Sequence, residues 1–425
     1  MKKLKILLSC FACRPHCGSE PGVGWNIAWH LAEHNEVWVL TSANNRPDIE
    51  AELIRNPLPR LYFVYHDLPA WARFWKWEGK GAIHLYYYLW QIMAIPIVRQ
   101  LHCDIMFDLV QHVTYVKYWA PSALAFLKEV PFIWGPVGGG ESAPLRLWAS
   151  FGLRGILHEI LRSLAQRLAE LDPLVRCTAQ QATLALASTA ETASRLKRIG
   201  AREVKIFGQL GLPEEELTLL GTLPNPPQKP IVFLSIGHLI HWKGFHLGVM
   251  GFAQSGLSNA EYWVVGGGPE RRRLESLAIG LDVAERVRFF GQLPRPEVLK
   301  LMGLCHVLIH PSLHDSGGLV CMEAMASGRP VICLDIGGPA VQVTDESGFK
   351  ITARQQDQTV AELAQAMQRL EATPNLWQQM GNHARQRVQQ NFCWRNRVMI
   401  MSKLYRVRKN SDENNEKTDD SEHDR

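Results

Sequence analysis

Two arrangements of hydrophobic residues alternate along the chain. Short apolar runs, rich in β-branched and aromatic residues, are separated by longer stretches in which apolar positions recur at helical spacing. In the first half the runs predict strands at 5–9, 36–41, 60–65, 104–109, 131–134 and 185–188. In the second half they predict strands at 231–236, 262–265, 287–290, 307–309 and 330–334. This alternation is typical of parallel sheets covered by helices and predicts an α/β fold.

The length of 425 residues exceeds what one hydrophobic core usually holds, so two domains are expected. Residues 217–230 are rich in proline and glycine and predict the linker. The first domain is therefore expected at 1–216 and the second at 231–385, followed by a helical region at 386–409. Residues 410–425 have no apolar periodicity and predict a disordered acidic tail.

Composition and charge narrow the class of protein. Hydrophobic residues make up 46% of the chain and charged residues 20%, as in soluble α/β proteins. Residues 410–425 carry seven acids and two bases, a net of −5, so subtraction from the +5 of the whole chain leaves +10 for the remainder. Such a surplus suits diphosphate substrates, anionic lipid headgroups or nucleic acid, and does not choose among them.

The cysteines and the apolar segments indicate the cellular location of the protein. Cys10, Cys13 and Cys17 match no complete four-ligand metal pattern, and the odd total of nine cysteines is typical of reduced thiols. The start of the chain is interpreted as a first strand rather than a signal peptide, and residues 85–98 are too few to span a bilayer. These features predict a cytoplasmic protein with no transmembrane helix.

One segment suggests contact with the inner face of a membrane. Four aromatic residues alternate there with three basic ones, ahead of the apolar residues 85–98: Trp71, Phe74, Trp75 and Trp77 with Arg73, Lys76 and Lys80. Amphipathic aromatic and basic side chains settle at headgroups, which makes a peripheral membrane contact one hypothesis. A core helix or an ordinary packed loop is the alternative.

The most informative motif runs over 310–339. Asp315 precedes the tight turn Ser316-Gly317-Gly318, and the apolar, alanine-rich residues that follow predict a buried helix that ends near Gly328. Free backbone amides at the start of this helix favour an anion such as a phosphate. Glu323, further along the helix, offers a carboxylate that can accept hydrogen bonds from two ribose hydroxyls. The alternative is an ordinary strand-turn-helix crossover.

These residues resemble the signature of the retaining glycosyltransferases of family four, in which two glutamates bracket seven residues and Gly-Gly-Pro follows later. Asp315 stands at the first acid position here and Glu323 at the second. The resemblance implies that Asp315 contacts the donor sugar in a catalytic role. It also implies that Glu323 binds the ribose, and that Gly317, Gly318 and Leu319 present backbone amides to the donor diphosphate.

Further donor-binding residues are expected in the second domain. Lys243 follows a predicted strand and suits the donor diphosphate, although a solvated turn lysine is the alternative. The family carries arginine five residues before this lysine, and His238 replaces it here. The resemblance adds four nucleotide contacts from two later loops: Gly267, Gly268, Glu270 and Gly291. A dinucleotide fingerprint is excluded at the first of these loops, because Arg271 stands where its last glycine is required.

Three segments of the first domain are candidates for the same site. Gly22 and Gly24 predict a glycine turn that brings amides to the donor, with tight helix packing as the alternative. Glu20 is expected to help place the acceptor. His112 resembles the cleft histidine of related enzymes and is expected to be catalytic. Glu141, in a loop that resembles one of a subgroup of these transferases, is expected in the acceptor pocket.

The resemblance implies the GT-B fold, in which two Rossmann-like parallel-sheet domains face each other across a cleft and residues 386–409 pack back on the first domain. The expected enzyme is a retaining hexosyltransferase. It moves a hexose from a nucleoside diphosphate sugar to a hydroxyl of a glycan or lipid-linked glycan in surface polysaccharide synthesis, with no cofactor and no metal. The alternatives are a GT-B sugar-nucleotide epimerase and a nucleic-acid-binding protein, and the latter lacks a recognised motif.

Overall fold

The computed structural model describes residues 3–72, 79–373 and 375–406. These residues form two compact units that are not continuous along the chain. The first unit contains the residues up to Gly140, Ala165–Leu210, and those from Trp394 onward, and the second contains Glu141–Leu164 and Gly211–Cys393. The predicted boundaries therefore differ at three places. Residues 141–164 and 211–216 belong to the second unit, and the predicted region 386–409 is divided between the two units.

The first unit is built on a seven-stranded parallel sheet in the order β3-β2-β1-β4-β5-β6-β7. Its strands are β1 (Lys5–Cys10), β2 (Glu36–Ser42), β3 (Leu61–His66), β4 (Leu109–Thr114), β5 (Phe132–Val137), β6 (Leu184–Ala187) and β7 (Val204–Ile206). The central strands β4 and β5 are buried along their whole length, as expected of parallel strands covered by helices on both faces.

Six helices of this part of the chain are α1 (Ser19–Ala32), α2 (Arg46–Arg55), α3 (Gly79–Ile105), α4 (Gly152–Ala169), α5 (Pro173–Gln181) and α6 (Ala190–Arg198). Helix α4 begins in the second unit, and its residues from Ala165 belong to the first. A last helix, α15 over 394–406, buries Trp394, Val398, Met401 and Tyr405 in the core of the first unit. This spacing presents one face of α15 to that core.

The second unit is built on a six-stranded parallel sheet in the order β10-β9-β8-β11-β12-β13. Its strands are β8 (Ile231–Ile236), β9 (Ala260–Val265), β10 (Val287–Gly291), β11 (Val307–His310), β12 (Val331–Leu334) and β13 (Gly348–Ile351). The strand order reverses direction between β8 and β11. In open α/β sheets, ligands bind beyond the carboxyl ends of the strands at such a point.

Besides the start of α4, the described residues of the second unit form eight helices. They are α7 (Glu214–Gly221), α8 (Phe245–Ser255), α9 (Arg271–Gly280), α10 (Arg295–Leu304), α11 (Leu319–Ala326), α12 (Gly337–Gln342), α13 (Gln356–Ala372) and α14 (Leu376–Asn391). Two Rossmann-like units with parallel sheets confirm the predicted α/β fold class.

Two predicted elements differ from the structure, and two strands were not predicted. The strand predicted at 104–109 is wrong, because α3 continues to Ile105 and β4 begins only at Leu109. Strands β7 and β13 were not predicted, since they are only three and four residues long. The predicted linker 217–230 begins inside helix α7, which ends at Gly221 ahead of the prolines.

The apolar residues 85–98 lie in α3, where Tyr86, Trp90, Ala94 and Val98 are buried in the core. The remainder of the predicted membrane contact, apart from the exposed Trp71, falls on residues 73–78 and the side chain of Lys80, outside the described part of the chain. The predicted acidic tail 410–425 also lies outside it. None of the described helices combines the length and hydropathy needed to cross a bilayer. All nine cysteines are free thiols.

Candidate active site

The loops at the carboxyl ends of the second sheet carry most of the predicted donor-binding residues, and backbone hydrogen bonds tie these loops together. The Leu239 amide donates to the Gly267 carbonyl at 2.9 Å, and the Gly266 amide donates to the Gly291 carbonyl at 2.8 Å. The loops after β8, β9 and β10 therefore form one connected edge. Gly267, Gly268, Glu270 and Gly291 lie along this edge, and their contacts with a nucleotide stay a prediction.

The loop after β11 joins the same edge through a close backbone approach. Gly244, with φ of 67°, lies so near Pro311 that an added Cβ would be 1.9 Å from its carbonyl oxygen. Next to this contact, the Leu313 amide donates to the Trp242 carbonyl at 2.8 Å. Only glycine fits at position 244, which explains the Lys243-Gly244 pair that ends this loop.

Lys243 and Asp315 form an ion pair at the centre of the edge. Lys243 Nζ donates to Asp315 Oδ2 at 2.5 Å, and His310 Nε2 donates to the same oxygen at 3.1 Å. Burial raises the pKa of the Asp315 carboxyl, but the hydrogen bond from His310 and the charge of Lys243 outweigh burial and hold that pKa well below its usual range. Asp315 is therefore ionised.

The other oxygen of Asp315 holds the turn that precedes α11. Asp315 Oδ1 accepts hydrogen bonds from the amides of Gly317 at 3.2 Å and Gly318 at 3.1 Å. Gly318, with φ of 63°, is the residue that precedes the first helical residue, Leu319. The structure thus gives Asp315 a turn-forming role that the sequence did not predict, while its contact with the donor sugar stays a prediction.

Glu323 lies in α11, where its carboxylate is almost fully buried. Its Oε1 lies 2.7 Å from Nη1 of Arg295 in α10, and Arg295 also contacts Glu216. Burial raises the pKa of Glu323, and the charge of Arg295 opposes this only in part. The ion pair holds the carboxylate in one position, and its contact with ribose hydroxyls stays a prediction.

The remaining donor-binding candidates of the second unit differ in their surroundings. His238 is exposed just after β8. Glu270 precedes α9 and accepts a hydrogen bond from Arg273 Nη1 at 2.7 Å. Glu141 belongs to this unit, and its Oε2 accepts a hydrogen bond from Ser316 Oγ. Glu141 therefore contacts the Asp315–Gly318 turn, in a different unit from the one predicted for it.

The predicted glycine turn at Gly22 and Gly24 is wrong. Helix α1 already begins at Ser19, so both glycines lie inside it. A Cβ added to Gly22 would be 2.0 Å from the Cys17 carbonyl oxygen, and one added to Gly24 would be 2.4 Å from that of Ala12. These glycines allow tight packing of the helix, which was the alternative interpretation of the motif.

Glu20 is held by two hydrogen bonds in the first unit. Its carboxylate accepts from the Tyr115 amide at 3.0 Å and from Gln209 Nε2 at 2.6 Å. Burial raises its pKa, and these two hydrogen bonds lower it by less. The side chain is fixed in place, and its predicted role towards an acceptor stays a prediction.

His112 lies within β4, not after a strand as predicted, and is completely buried. Its Nε2 is 2.6 Å from the Tyr87 hydroxyl and 3.3 Å from Gln91 Nε2. Burial lowers the pKa of His112 to about 3, so the imidazole is neutral at physiological pH. A catalytic His112 would therefore act as a neutral hydrogen-bonding group.

Comparison with known proteins identifies what the chain is similar to. Residues 224–387, within the second unit, match the family described as Glycosyl transferases group 1. This match confirms the resemblance found in the sequence and the predicted enzyme class, a glycosyltransferase. The chain is similar to the 2-deoxystreptamine glucosyltransferase of Streptomyces kanamyceticus, with 24% identity over 76% of this chain and 79% of that protein.

Two solved structures show the fold of this glycosyl transferase. The lipopolysaccharide outer core galactosyltransferase WaaB matches with a TM-score of 0.61 and 14% identity over 94% of this chain and all of that one. Anabaena Alr3699/HepE in complex with UDP and glucose matches with a TM-score of 0.55 and 18% identity over 95% of this chain and all of that one. The transferase therefore has the predicted GT-B fold.

Several residues beside the candidate site of this transferase were not predicted. Helix α4 carries Glu159, whose side chain is completely buried and whose Oε1 lies 3.3 Å from Nε2 of both His241 and His314. The indole of Trp242 stacks on His314. His241 is close to Lys243 in sequence, and His314 is next to Asp315. The contacts of Glu159 therefore hold the loops after β8 and β11 in place. The feature of the sequence that could have indicated this contact is the presence of His241 and His314 beside Lys243 and Asp315.

The same group includes the transferase's strongest candidate for holding a cation among the described residues. His158 Nδ1, Glu159 Oε1 and His241 Nε2 all lie within 4.8 Å of one another, a ligand set that suits zinc. However, Nη1 of Arg162 lies 3.8 Å from Glu159 Oε2 and already supplies positive charge to this carboxylate. Glu159 is therefore held by hydrogen-bonding contacts with the histidines and by the charge of Arg162.

Proposed function

We propose that this glycosyl transferase moves a hexose from a nucleoside diphosphate sugar to a hydroxyl of a glycan or lipid-linked glycan, with retention of the anomeric configuration. The observation that supports this most directly is the grouping of Lys243, the first turn of α11 and Glu323 at one edge of the second sheet. Lys243 and the α11 amides suit a diphosphate, and Glu323 suits a ribose.

The charges at this edge match the charge that develops during the reaction. When the bond from the anomeric carbon to the diphosphate breaks, negative charge grows on the leaving phosphate. The Lys243 ammonium and the α11 amides are positive groups that are already fixed in place. No Asp-x-Asp motif for a metal occurs in the sequence, so the proposal assigns neutralisation of the diphosphate to these groups.

Retention follows in the proposal from attack on the same face of the sugar. The acceptor oxygen forms its bond to the anomeric carbon as the bond to the diphosphate breaks, and the acceptor proton passes to the departing phosphate oxygen. A double displacement would need a carboxylate nucleophile at the anomeric carbon. Asp315 suits that role poorly, because both of its oxygens already accept hydrogen bonds.

The acceptor is proposed to belong to a surface polysaccharide, in keeping with the similarity to a lipopolysaccharide outer core galactosyltransferase. The enzyme is proposed to act in the cytoplasm, at the inner face of the membrane. Glu141, beside the Asp315–Gly318 turn, is the proposed acceptor contact in the second unit. In the first unit, Glu20 is proposed to help place the acceptor and His112 to be catalytic.

The donor can be identified by thermal unfolding in the presence of single nucleotide sugars, because a ligand that binds only the folded state raises its stability. The Lys243→Ala variant should lose this stabilisation, whereas Lys300→Ala, which changes an exposed lysine of the same unit, should keep it. Equal stabilisation of both variants by the donor would contradict the proposed diphosphate site.

The reaction type is then tested by transfer. NMR of the product should show the anomeric configuration of the donor. An epimerase would convert the donor with no acceptor present, so donor consumption that is independent of acceptor would favour that alternative. An inverted product would refute retention and leave the donor site intact.

A further inference from the structure

Helix α4 has the reverse of the usual arrangement of side chains for a surface helix. Its acidic residue Glu159 is completely buried, and Nη2 of Arg162 donates to the Glu141 carbonyl oxygen at 2.7 Å. In the part of the helix that belongs to the second unit, the opposite side presents five large aliphatic residues to solvent, with exposed fractions between 48% and 88%: Leu153, Leu157, Ile160, Leu161 and Leu164.

These five residues, the aliphatic face of α4, form one continuous stripe. They recur at intervals of four, three, one and three residues, which places them on one side of a helix. Scattered exposed leucines are ordinary on protein surfaces. A contiguous apolar stripe of this kind on one side of a helix indicates that another surface covers it.

The charges around the aliphatic face indicate what kind of surface this is. Between residues 142 and 164 the exposed charged side chains are Arg146 and Arg154, and the acid of this segment, Glu159, is buried. The chain before residue 410 also carries a net charge of +10. An apolar stripe with basic and no exposed acidic neighbours is complementary to an anionic lipid surface.

The chemistry of the face favours lipid over a protein partner. Protein interfaces are anchored by tyrosine, tryptophan and arginine, and they need hydrogen bonds at regular intervals. The aliphatic face contains leucine and isoleucine alone. It therefore offers apolar surface but no aromatic or hydrogen-bonding side chains that would select a protein partner. A helix that lies in the membrane interface needs an apolar face and positively charged residues near it.

We propose that the aliphatic face of α4 lies in the interface of a bilayer that contains anionic lipid, with Arg146 and Arg154 at the headgroups. The contact is peripheral, because the opposite side of the helix stays packed against the protein through Glu159. This surface differs from the Trp71 segment considered from the sequence, and the proposal does not depend on the identity of the donor or acceptor.

Vesicle co-sedimentation of the full chain tests the proposal, with phosphatidylcholine vesicles that contain or lack phosphatidylglycerol. The wild type should bind the anionic vesicles and bind less as salt increases. Combined Leu157→Ser and Leu161→Ser should lower the partition coefficient by about tenfold or more, because two apolar side chains no longer enter the bilayer. Arg154→Glu should weaken binding to anionic vesicles alone.

A matched control replaces two exposed isoleucines elsewhere, in Ile54→Ser combined with Ile279→Ser, and should bind vesicles like the wild type. Since all four aliphatic residues are exposed, thermal unfolding should show both double variants folded. Absence of wild-type binding, or full binding by the α4 double variant, would overturn the proposal. Binding that is lost in Trp71→Ser and kept in the α4 variant would assign the contact to the Trp71 segment instead.

Light scattering tests whether a second copy of the chain, and not a bilayer, covers the aliphatic face. A wild-type dimer that becomes monomeric in the α4 double variant, with no vesicle binding by either protein, would show that a second copy of the chain covers the face. A wild type that is monomeric in solution and binds vesicles supports the bilayer.

Discussion

The ion pair between Lys243 and Asp315 provides a quantitative test of how the site is held together. Its side chains are 22% and 16% exposed, so its strength should lie between that of a surface pair, about 0–1 kcal/mol, and the 3–5 kcal/mol lost on breaking a buried pair. We expect a coupling free energy of about 1–2 kcal/mol between Lys243→Ala and Asp315→Asn in a double-mutant cycle.

The two single substitutions should lower the free energy of unfolding by different amounts. Asp315→Ala removes the partners of Lys243 and His310 and also uncaps the amides of Gly317 and Gly318. A lost cap costs about 1 kcal/mol and a hydrogen bond to a charged group about 1.5–3 kcal/mol, so we expect a total of about 3 kcal/mol. For a unit of this size that lowers Tm by about 6–12 °C. Lys243→Ala should cost only about 1 kcal/mol, because Asp315 keeps its other three hydrogen bonds.

Calorimetry and urea unfolding of the two single variants and the double variant measure these quantities. The same unit contains a matched control pair, Lys350 and Asp335, whose charged atoms lie 3.8 Å apart with side chains 31% and 57% exposed. Its coupling should be below about 0.5 kcal/mol. A Lys243–Asp315 coupling no larger than that of the control pair would refute the view that this pair stabilises the site.

Three further outcomes are expected. Glu323→Gln should weaken nucleotide binding by about 10-fold or more in calorimetry, and wild-type affinity should fall with decreasing pH at values above the ordinary glutamate pKa of 4.5, a dependence that the variant should lack. Because burial lowers the folded-state pKa of His112 to about 3, the unfolded state binds more protons below pH of about 6.5. Stability should then fall with decreasing pH by up to about 1.4 kcal/mol per unit, and His112→Gln should reduce this slope in urea unfolding. Transfer should continue in EDTA, whereas loss of activity that zinc restores would assign a cation to His158, Glu159 and His241.

The fold was largely predictable because central parallel strands are short apolar runs. Strands such as β5 and β8 are buried on both sides and contain few polar residues, so the runs stand out between helices. The edge strands β7 and β13 were missed for the same physical reason. They are short and partly exposed, and exposed positions need not be apolar.

The sequence indicated the positions of the candidate residues where a motif directly follows a strand. Lys243, Asp315 and Glu323 follow β8 and β11, and parallel strands carry such residues to one edge. Their supporting residues Arg295 and Glu159 come from helices α10 and α4, and no spacing in the sequence indicates such contacts. The glycine turn failed because helix α1 tolerates Pro21 in its first turn, so a Gly- and Pro-containing segment is helical.

Asp315 stands where related transferases have glutamate, and its contacts suggest how the shorter acid takes part in donor recognition. A carboxylate has about four lone-pair sites, and Asp315 already accepts four hydrogen bonds, from Lys243, His310, Gly317 and Gly318. A diphosphate that attracts Lys243 would release one site on Oδ2 for a sugar hydroxyl. Asp315→Asn should then weaken binding of the nucleotide sugar more than binding of the nucleoside diphosphate alone, by about 1.5–3 kcal/mol in calorimetry. Equal losses for both ligands would show that Asp315 acts by holding the turn, without contact to the sugar.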